Sequence, residues 1–187
     1  MPLLYVTSNP IKFTQAAAVC GGKGIEIAQG QLDIHEIQAD TGEPVARDKA
    51  TKAYKELKQP LVVSDDTWMI PGLKGFPGPY MKYMNDWLSV DDWSRLTQSL
   101  ADRTIILQQI VVYQDENEQR VFSVNIKGML LQEARGTSNH PHAALVSFDG
   151  GKHSNAEFHE KGQSAAQHFH NVWDDFTEWY AHQRREQ

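Results

Sequence analysis

The chain has 187 residues, 40% of them hydrophobic, and a formal net charge of -6, which suffices for one domain or for two lobes that share a core. The acidic balance argues against binding of duplex nucleic acid, which requires a basic surface, and no apolar run approaches the roughly 20 residues of a membrane span. A single cysteine, Cys20, and the lack of a signal-peptide pattern at the N-terminus predict a cytoplasmic protein without an internal disulfide.

The first third of the chain alternates strand-like and helix-like segments. Its apolar runs, polar caps and glycine or proline breaks predict, in chain order, a strand at 3–6, a helix at 11–20, an interrupted strand at 25–37, a helix at 41–57 and a strand at 61–64. The turn at 7–10 supplies residues that cap the first helix. This order of strands and helices predicts an α/β architecture.

The remaining two thirds predict two short helices, a hairpin and a C-terminal helix. The short helices lie at 80–88 and from residue 90, and the hairpin joins strands at 105–113 and 121–131 through a polar loop. An amphipathic C-terminal helix is indicated by apolar residues at helical spacing, namely Ala165, Phe169, Val172, Trp173, Phe176 and Tyr180. We expect a single domain over 1–187 with a second lobe at roughly 80–131.

Two adjacent carboxylates carry the strongest local signal. The β-branched pair Val62-Val63 is followed by Asp65 and Asp66, and then by a loop at 71–79 that contains three glycines and three prolines. Adjacent carboxylates repel each other and need a cation or a shared proton. At the end of a buried strand, a hard divalent metal such as Mg²⁺ is favoured, with a carboxylate free to position or deprotonate a water. The alternative is that the carboxylates only cap the next element.

A polar turn and a lysine near the N-terminus form a second candidate site. Thr7, Ser8 and Asn9 lie between the first predicted strand and helix, where backbone N–H groups and the helix dipole attract anions. Lys12 lies one turn into that helix and can reach the same anion. The alternative is an ordinary helix cap beside an exposed lysine.

Three further charged residues give weaker signals on their own. Glu36 lies in a strand-like segment, where it either faces solvent or binds a metal. Lys49 lies on a helix rich in charges, most of which we expect to be solvated. Lys82 follows the glycine-rich loop, within reach of a phosphate bound there.

Histidines are concentrated in the final third of the chain. Imidazole groups are common ligands of zinc and nickel. However, the closest histidines are two positions apart, a spacing that points side chains in different directions on a helix, and no cysteine lies among them. We therefore expect incidental surface histidines, or one or two that line a pocket. The histidines concerned are His140, His142, His153, His159, His168 and His170.

Taken together, the candidate residues resemble those of a known family. The inosine triphosphate pyrophosphatases, which hydrolyse non-canonical purine nucleoside triphosphates, have motifs similar to four parts of this chain. These parts are Thr7-x-Asn9-x-x-Lys12, Glu36, Ser64-Asp65-Asp66-Thr67, and Gly75-Phe76-Pro77-Gly78-Pro79-Tyr80 with Lys82. The resemblance covers most of residues 1–130 in the family's order.

The resemblance implies a two-lobed α/β fold with a mixed central sheet, flanking helices and a cleft between the lobes, usually as a homodimer. It implies attack of water on a nucleoside triphosphate with Mg²⁺, or Mn²⁺ as a substitute, to give a monophosphate and pyrophosphate. Asp66 would be the central catalytic carboxylate, supported by Asp65, and Glu36 and Asp66 would bind the metal. The residues implied to contact the substrate or its phosphates are Thr7, Ser8, Asn9, Lys12, Lys49, Thr67, Lys82 and His159.

The last third of the chain departs from the family pattern. The segment 136–141 lacks the aromatic residue of the segment that contacts the base in the family, and His140 stands in place of its aspartate. Ser154 and Glu160 stand where the family has a lysine and an arginine, whereas His159 persists. The change to Glu160 reverses a charge near an anionic nucleotide and is not conservative.

These departures leave three functions open. The leading hypothesis is a pyrophosphatase that depends on Mg²⁺ and acts on inosine and xanthosine nucleotides or on a different set of nucleotides. The second is a catalytically silent member that binds nucleotides or acts as an interaction module. The third is a hydrolase of another phosphorylated small molecule.

Overall fold

The computed structural model describes residues 2–163 and 169–183, which contain a seven-stranded sheet. The strands are β1 (Leu3–Val6), β2 (Ile27–Gly30), β3 (Leu61–Met69), β4 (Pro77–Gly78), β5 (Thr104–Gln114), β6 (Gln119–Leu130) and β7 (Val146–Ser147). The helices are α1 (Pro10–Gly22), α2 (Gly42–Leu57), α3 (Met81–Trp87), α4 (Val90–Thr97), α5 (Asn155–Glu160) and α6 (Val172–Gln183). Within this described part, every helix is too short or too polar to cross a membrane.

The sheet combines parallel and antiparallel strands. Its order is β2-β1-β3-β5-β6-β7, and β4 pairs with β3 outside this path. β1 runs parallel to both β2 and β3, with Tyr5 opposite Val62. β4 is antiparallel to β3, and β7 is antiparallel to β6. The mixed sheet confirms the predicted α/β fold class.

The chain divides into two compact units. The first consists of the residues up to Asp66, Gln109–Val124 and the residues from Asn171. The second consists of Thr67–Gln108 and Asn125–His170, and it overlaps the second lobe predicted at 80–131.

In the first unit, helices cover both faces of the sheet. Side chains alternate between the two faces along each strand, and the burial of their apolar surface is the main favourable contribution to folding. The face covered by α1 and α6 contributes Leu3, Tyr5, Ala16, Cys20, Ile25, Val62, Val111, Tyr113, Val172, Trp173 and Phe176. The face covered by α2 contributes Val6, Ala46, Ala50, Ala53, Leu61, Val63, Ile110 and Val112.

Strand β2 is shorter than the predicted strand at 25–37. It pairs with β1, which offers only four residues, so the register runs from Leu3 opposite Ile27 to Val6 opposite Gly30. Residues 31–39 have no regular secondary structure. A strand extends only as far as a neighbouring strand satisfies its backbone groups, and local alternation of apolar residues does not reveal where that neighbour ends.

Strand β3 is longer than the predicted strand at 61–64. It continues to Met69, where Trp68 and Met69 pair with β4. Asp65 and Asp66 therefore lie inside a strand, and the predicted end of the strand at residue 64 is wrong. The glycine-rich segment that follows folds back to supply the pairing partner.

Helix α6 begins later than the apolar periodicity suggested. Asn171 caps it, because its side-chain oxygen accepts a hydrogen bond from the backbone N–H of Trp173 at 2.9 Å. The backbone N–H of Asn171 in turn donates to Asp174 at 2.9 Å, and this reciprocal cap defines the start of the helix. Phe169 precedes the helix, and Ala165 lies outside the described residues.

Candidate active site

The two aspartates of β3 face opposite sides of the sheet. Successive side chains of a strand alternate, and Asp66 follows Val62 and Ser64 on the face covered by α1. There its Oδ2 lies 2.9 Å from Nζ of Lys12. Asp65 follows Val63 on the other face, which α2 covers. The adjacent carboxylates thus point to different faces of the sheet, although both interact electrostatically with Lys12.

Lys12 and Asp66 form a partly shielded ion pair. Their side chains are 28% and 33% exposed. Burial disfavours the charged ammonium of Lys12, but Asp66, Tyr5 and Asp65 outweigh this effect and raise its pKa. Lys12 is therefore a permanent cation at neutral pH, and water reaches the pair from one side. A phosphate oxygen can approach such a lysine without unfolding the surrounding structure.

Asp65 is the carboxylate with the most perturbed surroundings in this group. Its pKa is raised to about 6, mainly by burial and to a lesser extent by the carboxylates of Asp66 and Glu36, while Lys12 and Lys49 oppose the rise. A carboxyl group with a pKa near neutrality can accept and release a proton at physiological pH. The negative charges of Asp66 and Glu36 near Asp65 also favour binding of an additional cation there.

On the α2 side, lysines hold the irregular segment at 31–39. Nζ of Lys49 donates to Oε1 of Glu36 at 2.9 Å, and Glu36 is about half exposed. Nζ of Lys52 donates to the carbonyl oxygen of His35 at 2.8 Å. The predicted metal ligand Glu36 and the predicted phosphate contact Lys49 are therefore brought together, with each neutralising the other.

The turn before α1 has the geometry of an ordinary helix cap. The side-chain oxygen of Asn9 accepts hydrogen bonds from the backbone N–H groups of Ile11 and Lys12, at 2.9 and 3.1 Å. Thr7 Oγ1 accepts from the backbone N–H of Asn9 at 3.1 Å, and Ser8 is exposed. The first helical N–H groups are thus satisfied by Asn9, so the phosphate role of Thr7, Ser8 and Asn9 stays a prediction.

The carboxylates of this group are the type of ligand that Mg²⁺ binds, but two of them form ion pairs with lysines. Hard divalent cations prefer carboxylate oxygens. The pKa of Asp65 is raised mainly by burial and in part by the charges of Asp66 and Glu36, and a cation would offset that part. Among residues 2–163 and 169–183, however, no three side chains of His, Cys, Asp or Glu are grouped so that they could hold a metal ion. Glu36 and Asp66 each contact a lysine instead, so metal binding there requires both ion pairs to rearrange.

Three predicted substrate contacts belong to the second unit. Thr67 is buried, and its hydroxyl has no hydrogen-bond partner within the described part of the chain. Lys82 is exposed on α3. His159 is exposed on α5, where its Nδ1 lies 3.1 Å from Ser138 Oγ and its Nε2 lies 3.3 Å from Asn155 Nδ2.

The residues that depart from the family pattern have structural partners in the second unit. Oε1 of Glu160 accepts hydrogen bonds from both the backbone N–H and the hydroxyl of Thr137, each at 2.8 Å. Ser154 caps α5, accepting from the backbone N–H of Glu157 and donating to the carbonyl oxygen of Arg135 at 2.6 Å. Arg135 and Thr137 thus connect this part of the chain to the first and the last turn of α5.

The histidines of this segment do not form a metal site in the described residues. His142 is buried and lies 2.7 Å from Oδ1 of Asn85 through its Nδ1, while its ring packs edge-on against Trp68 at 4.8 Å. Trp68, which is partly buried, therefore packs against His142 and Phe148 of the second unit. His168 lies outside the described residues.

Sequence reasoning missed one polar contact beneath the Lys12–Asp66 pair. The hydroxyl of the fully buried Tyr5 on β1 hydrogen-bonds to Oγ of Ser64 on β3. The available signal was a tyrosine within an otherwise apolar strand, because a buried phenol requires a hydrogen-bond partner. A serine just before the aspartates was the natural partner.

Comparisons with known proteins bear on the family. The model of the Ham1 family matches residues 3–179. A dITP/XTP pyrophosphatase from Methanosarcina mazei is 27% identical over 179 residues, covering 95% of this chain and 96% of that protein. Another from Ignicoccus hospitalis is 33% identical over 134 residues, covering 71% of each. The structure of a HAM1 protein from Coxiella burnetii has a TM-score of 0.78 at 15% identity, covering 97% of this chain and 100% of that one. These matches confirm the resemblance inferred from the motifs, and the chain belongs to the Ham1 family.

Proposed function

We propose that this protein is a nucleoside triphosphate pyrophosphatase that hydrolyses non-canonical purine nucleotides, such as dITP and XTP, to the monophosphate and pyrophosphate. Relatives named dITP/XTP pyrophosphatase support this activity. The observation that carries it is the contact of Lys12 with Asp66 at 2.9 Å beside the partly buried Asp65. A cation for phosphate then lies next to carboxylates that can activate water, and phosphoryl transfer depends mainly on such positioning and charge stabilisation.

Substrate binding in this proposal exchanges ion pairs. Lys12 holds Asp66 and Lys49 holds Glu36 in the substrate-free protein. The oxygens of a triphosphate are also charged acceptors, and several of them together compete with the carboxylates for both lysines. Asp66, supported by Asp65, is then free to orient and deprotonate the attacking water. Mg²⁺ held by Glu36 and Asp66, or Mn²⁺ in its place, would neutralise charge on the triphosphate.

The other predicted contacts complete the proposal. Thr7, Ser8 and Asn9 belong to the cap of α1, at the positive end of the helix dipole, and a phosphate would have to displace Asn9 from the N–H groups it covers. Thr67 follows Asp66 directly in the chain, and its hydroxyl has no hydrogen-bond partner among the described residues. Lys82 and His159, which belong to the second unit, stay predicted donors for phosphate oxygens.

A panel assay tests the proposal. Pyrophosphate release is measured from dITP, ITP, XTP and the canonical triphosphates, with Mg²⁺, with Mn²⁺ and with a chelator. We expect turnover of some deaminated purine nucleotide, lost with the chelator and in Asp66→Asn. The matched control is Asp91→Asn, an exposed aspartate at the start of α4, which should keep full activity. No turnover of any triphosphate with either metal would refute the proposed function.

A silent nucleotide-binding protein is the second candidate. Glu160 favours it, because an anionic side chain that binds Thr137 takes the position at which the family pattern has a cation. In that case calorimetry should detect nucleotide binding that Lys12→Met weakens, while the panel assay gives no product. Turnover of sugar phosphates or dinucleotides with indifference to triphosphates would instead indicate a hydrolase of another substrate class.

We also propose a homodimer that acts in the cytoplasm. The α3 region of the second unit exposes aromatic side chains, with Tyr83 45% and Trp87 73% exposed and their ring centroids 5.6 Å apart. Exposed aromatic groups of this kind are typical of interfaces. The single cysteine, Cys20, is a buried free thiol, which suits a reducing compartment.

A further inference from the structure

We propose that Tyr5 and Ser64 are positioning residues that hold Asp66 against Lys12 through their mutual hydrogen bond. This inference rests on the proposed function for its catalytic consequence. Ser64 lies in one of the motifs that resemble the family, but the resemblance implies no phosphate or metal contact for either Tyr5 or Ser64, and neither is expected to touch the substrate.

The ring of Tyr5 is fixed from two sides. It is fully buried and packs edge-on against Trp173 of α6, with ring centroids 4.9 Å apart. It also stacks on Phe13 of α1, with centroids 6.4 Å apart and an angle of 27° between the planes. Because Phe13 directly follows Lys12, the ring of Tyr5 supports the part of α1 that carries the cation.

The hydroxyl of Tyr5 supports the strand that carries the carboxylate. It hydrogen-bonds to Oγ of Ser64, which lies on the neighbouring parallel strand. Ser64 lies two residues before Asp66, so both side chains point to the same face of β3. The side chain of Tyr5 therefore makes both contacts. Its ring packs against Phe13, which follows Lys12, and its hydroxyl bonds to Ser64, which lies two residues before Asp66.

The hydroxyl is not needed for packing. The cluster around Tyr5 is otherwise built from apolar and aromatic side chains, in which phenylalanine would bury the same ring without a polar atom. A buried hydroxyl without a partner is unfavourable. Ser64 is the hydrogen-bond partner of the Tyr5 hydroxyl on β3, and Thr7 also interacts with that hydroxyl. The link between Tyr5 and Ser64 fixes the lateral position of β3 two residues before the carboxylate that contacts Lys12.

The experiment compares Tyr5→Phe, Ser64→Ala and the double variant in the full chain. Turnover of the best triphosphate is measured well below each melting temperature. We expect kcat to fall about 3- to 10-fold in either single variant, the size of one lost hydrogen bond, with KM within about twofold of wild type. The double variant should be no slower than the slower single variant, because one link is lost in all three.

Two variants separate positioning from stability. Tyr113→Phe removes another buried phenol of the same cluster, whose hydroxyl donates to Asp115 at 2.8 Å, and it should leave kcat unchanged. Ser64→Thr retains a hydroxyl and should recover most of the rate lost in Ser64→Ala. If Tyr5→Phe and Ser64→Ala lower only the melting temperature, like Tyr113→Phe, the pair is structural and the inference is overturned.

A crystal structure of Tyr5→Phe gives a readout that does not require turnover. The inference expects Lys12 Nζ and Asp66 Oδ2 to move apart from their separation of 2.9 Å, and an unchanged separation overturns it. An inactive wild-type protein would refute the proposed function, whereas this measurement would still decide whether Tyr5 positions the ion pair.

Discussion

His142 should make the stability of the protein fall as the pH falls. The side chain is 5% exposed and packs against the rings of Trp68 and Trp93, at 4.8 and 6.1 Å. Its Nδ1 lies 2.7 Å from Oδ1 of Asn85, and because an amide oxygen only accepts, Nδ1 must carry the proton of a neutral imidazole.

Burial lowers the pKa of His142 from its ordinary 6.5 to about 3, with smaller contributions from the charges of His140 and His159. The unfolded chain protonates His142 near the ordinary value, and the folded protein does so only near pH 3. Between these values the unfolded state binds more protons, so stability decreases as the pH falls. The loss attributable to His142 is about 2 kcal/mol at pH 5 and approaches about 5 kcal/mol below pH 3.

Denaturant unfolding at pH 7.5 and pH 5 measures this loss in wild type and in His142→Gln. Glutamine can still donate to Asn85 but does not titrate, so its stability difference between the two pH values should be smaller than that of wild type by about 2 kcal/mol. His35→Gln, at an exposed position, should retain the wild-type difference. Equal pH differences for wild type and His142→Gln would refute the burial argument.

Three further predictions concern the charges and the surface. Lys12→Met should lower kcat/KM about 10²- to 10³-fold while changing the free energy of unfolding by only about 1 kcal/mol, because the ion pair is partly exposed. The control Lys23→Met, at an exposed position, should change neither quantity. A fully active Lys12→Met would contradict the phosphate role of Lys12. Glu160→Ala should speed hydrogen exchange at the Thr137 amide by removing its acceptor, whereas Glu160→Gln, which keeps an acceptor oxygen, should not. Trp87→Ser should weaken the dimer in sedimentation experiments, because Trp87 is the most exposed large hydrophobic side chain of those described; a wild-type monomer would contradict the proposed interface.

Several elements of the fold could be predicted from local patterns alone. The predicted first strand at 3–6 coincides with β1, and the predicted helix at 41–57 differs from α2 by one residue. These succeed because apolar periodicity and capping residues are local signals. The length of β2 and the extension of β3 through Asp65 and Asp66 could not be predicted, because both depend on the length and position of a neighbouring strand.

The candidate site was predictable as a set of residues but not as a set of contacts. The charged residues Lys12, Glu36, Lys49, Asp65 and Asp66 were all identified, and they interact in the first unit. That Asn9 covers the N–H groups of α1 with its own side chain was only one of two alternatives. The partnership of Tyr5 with Ser64 joins positions 59 residues apart, and no local pattern specifies such a distant pair.

The sequence by itself determined the family and the reaction class that it supports, because these follow from residue types in a characteristic order. The carboxylates and lysines to which it points remain predicted participants in that reaction. Only the tertiary structure decided which surroundings each of the two adjacent aspartates has. Alternation along β3 sends Asp66 toward Lys12 and Asp65 to the face covered by α2. Which helix covers each face of a strand is set by the packing of the whole sheet, and that information is not contained in any short stretch of the chain.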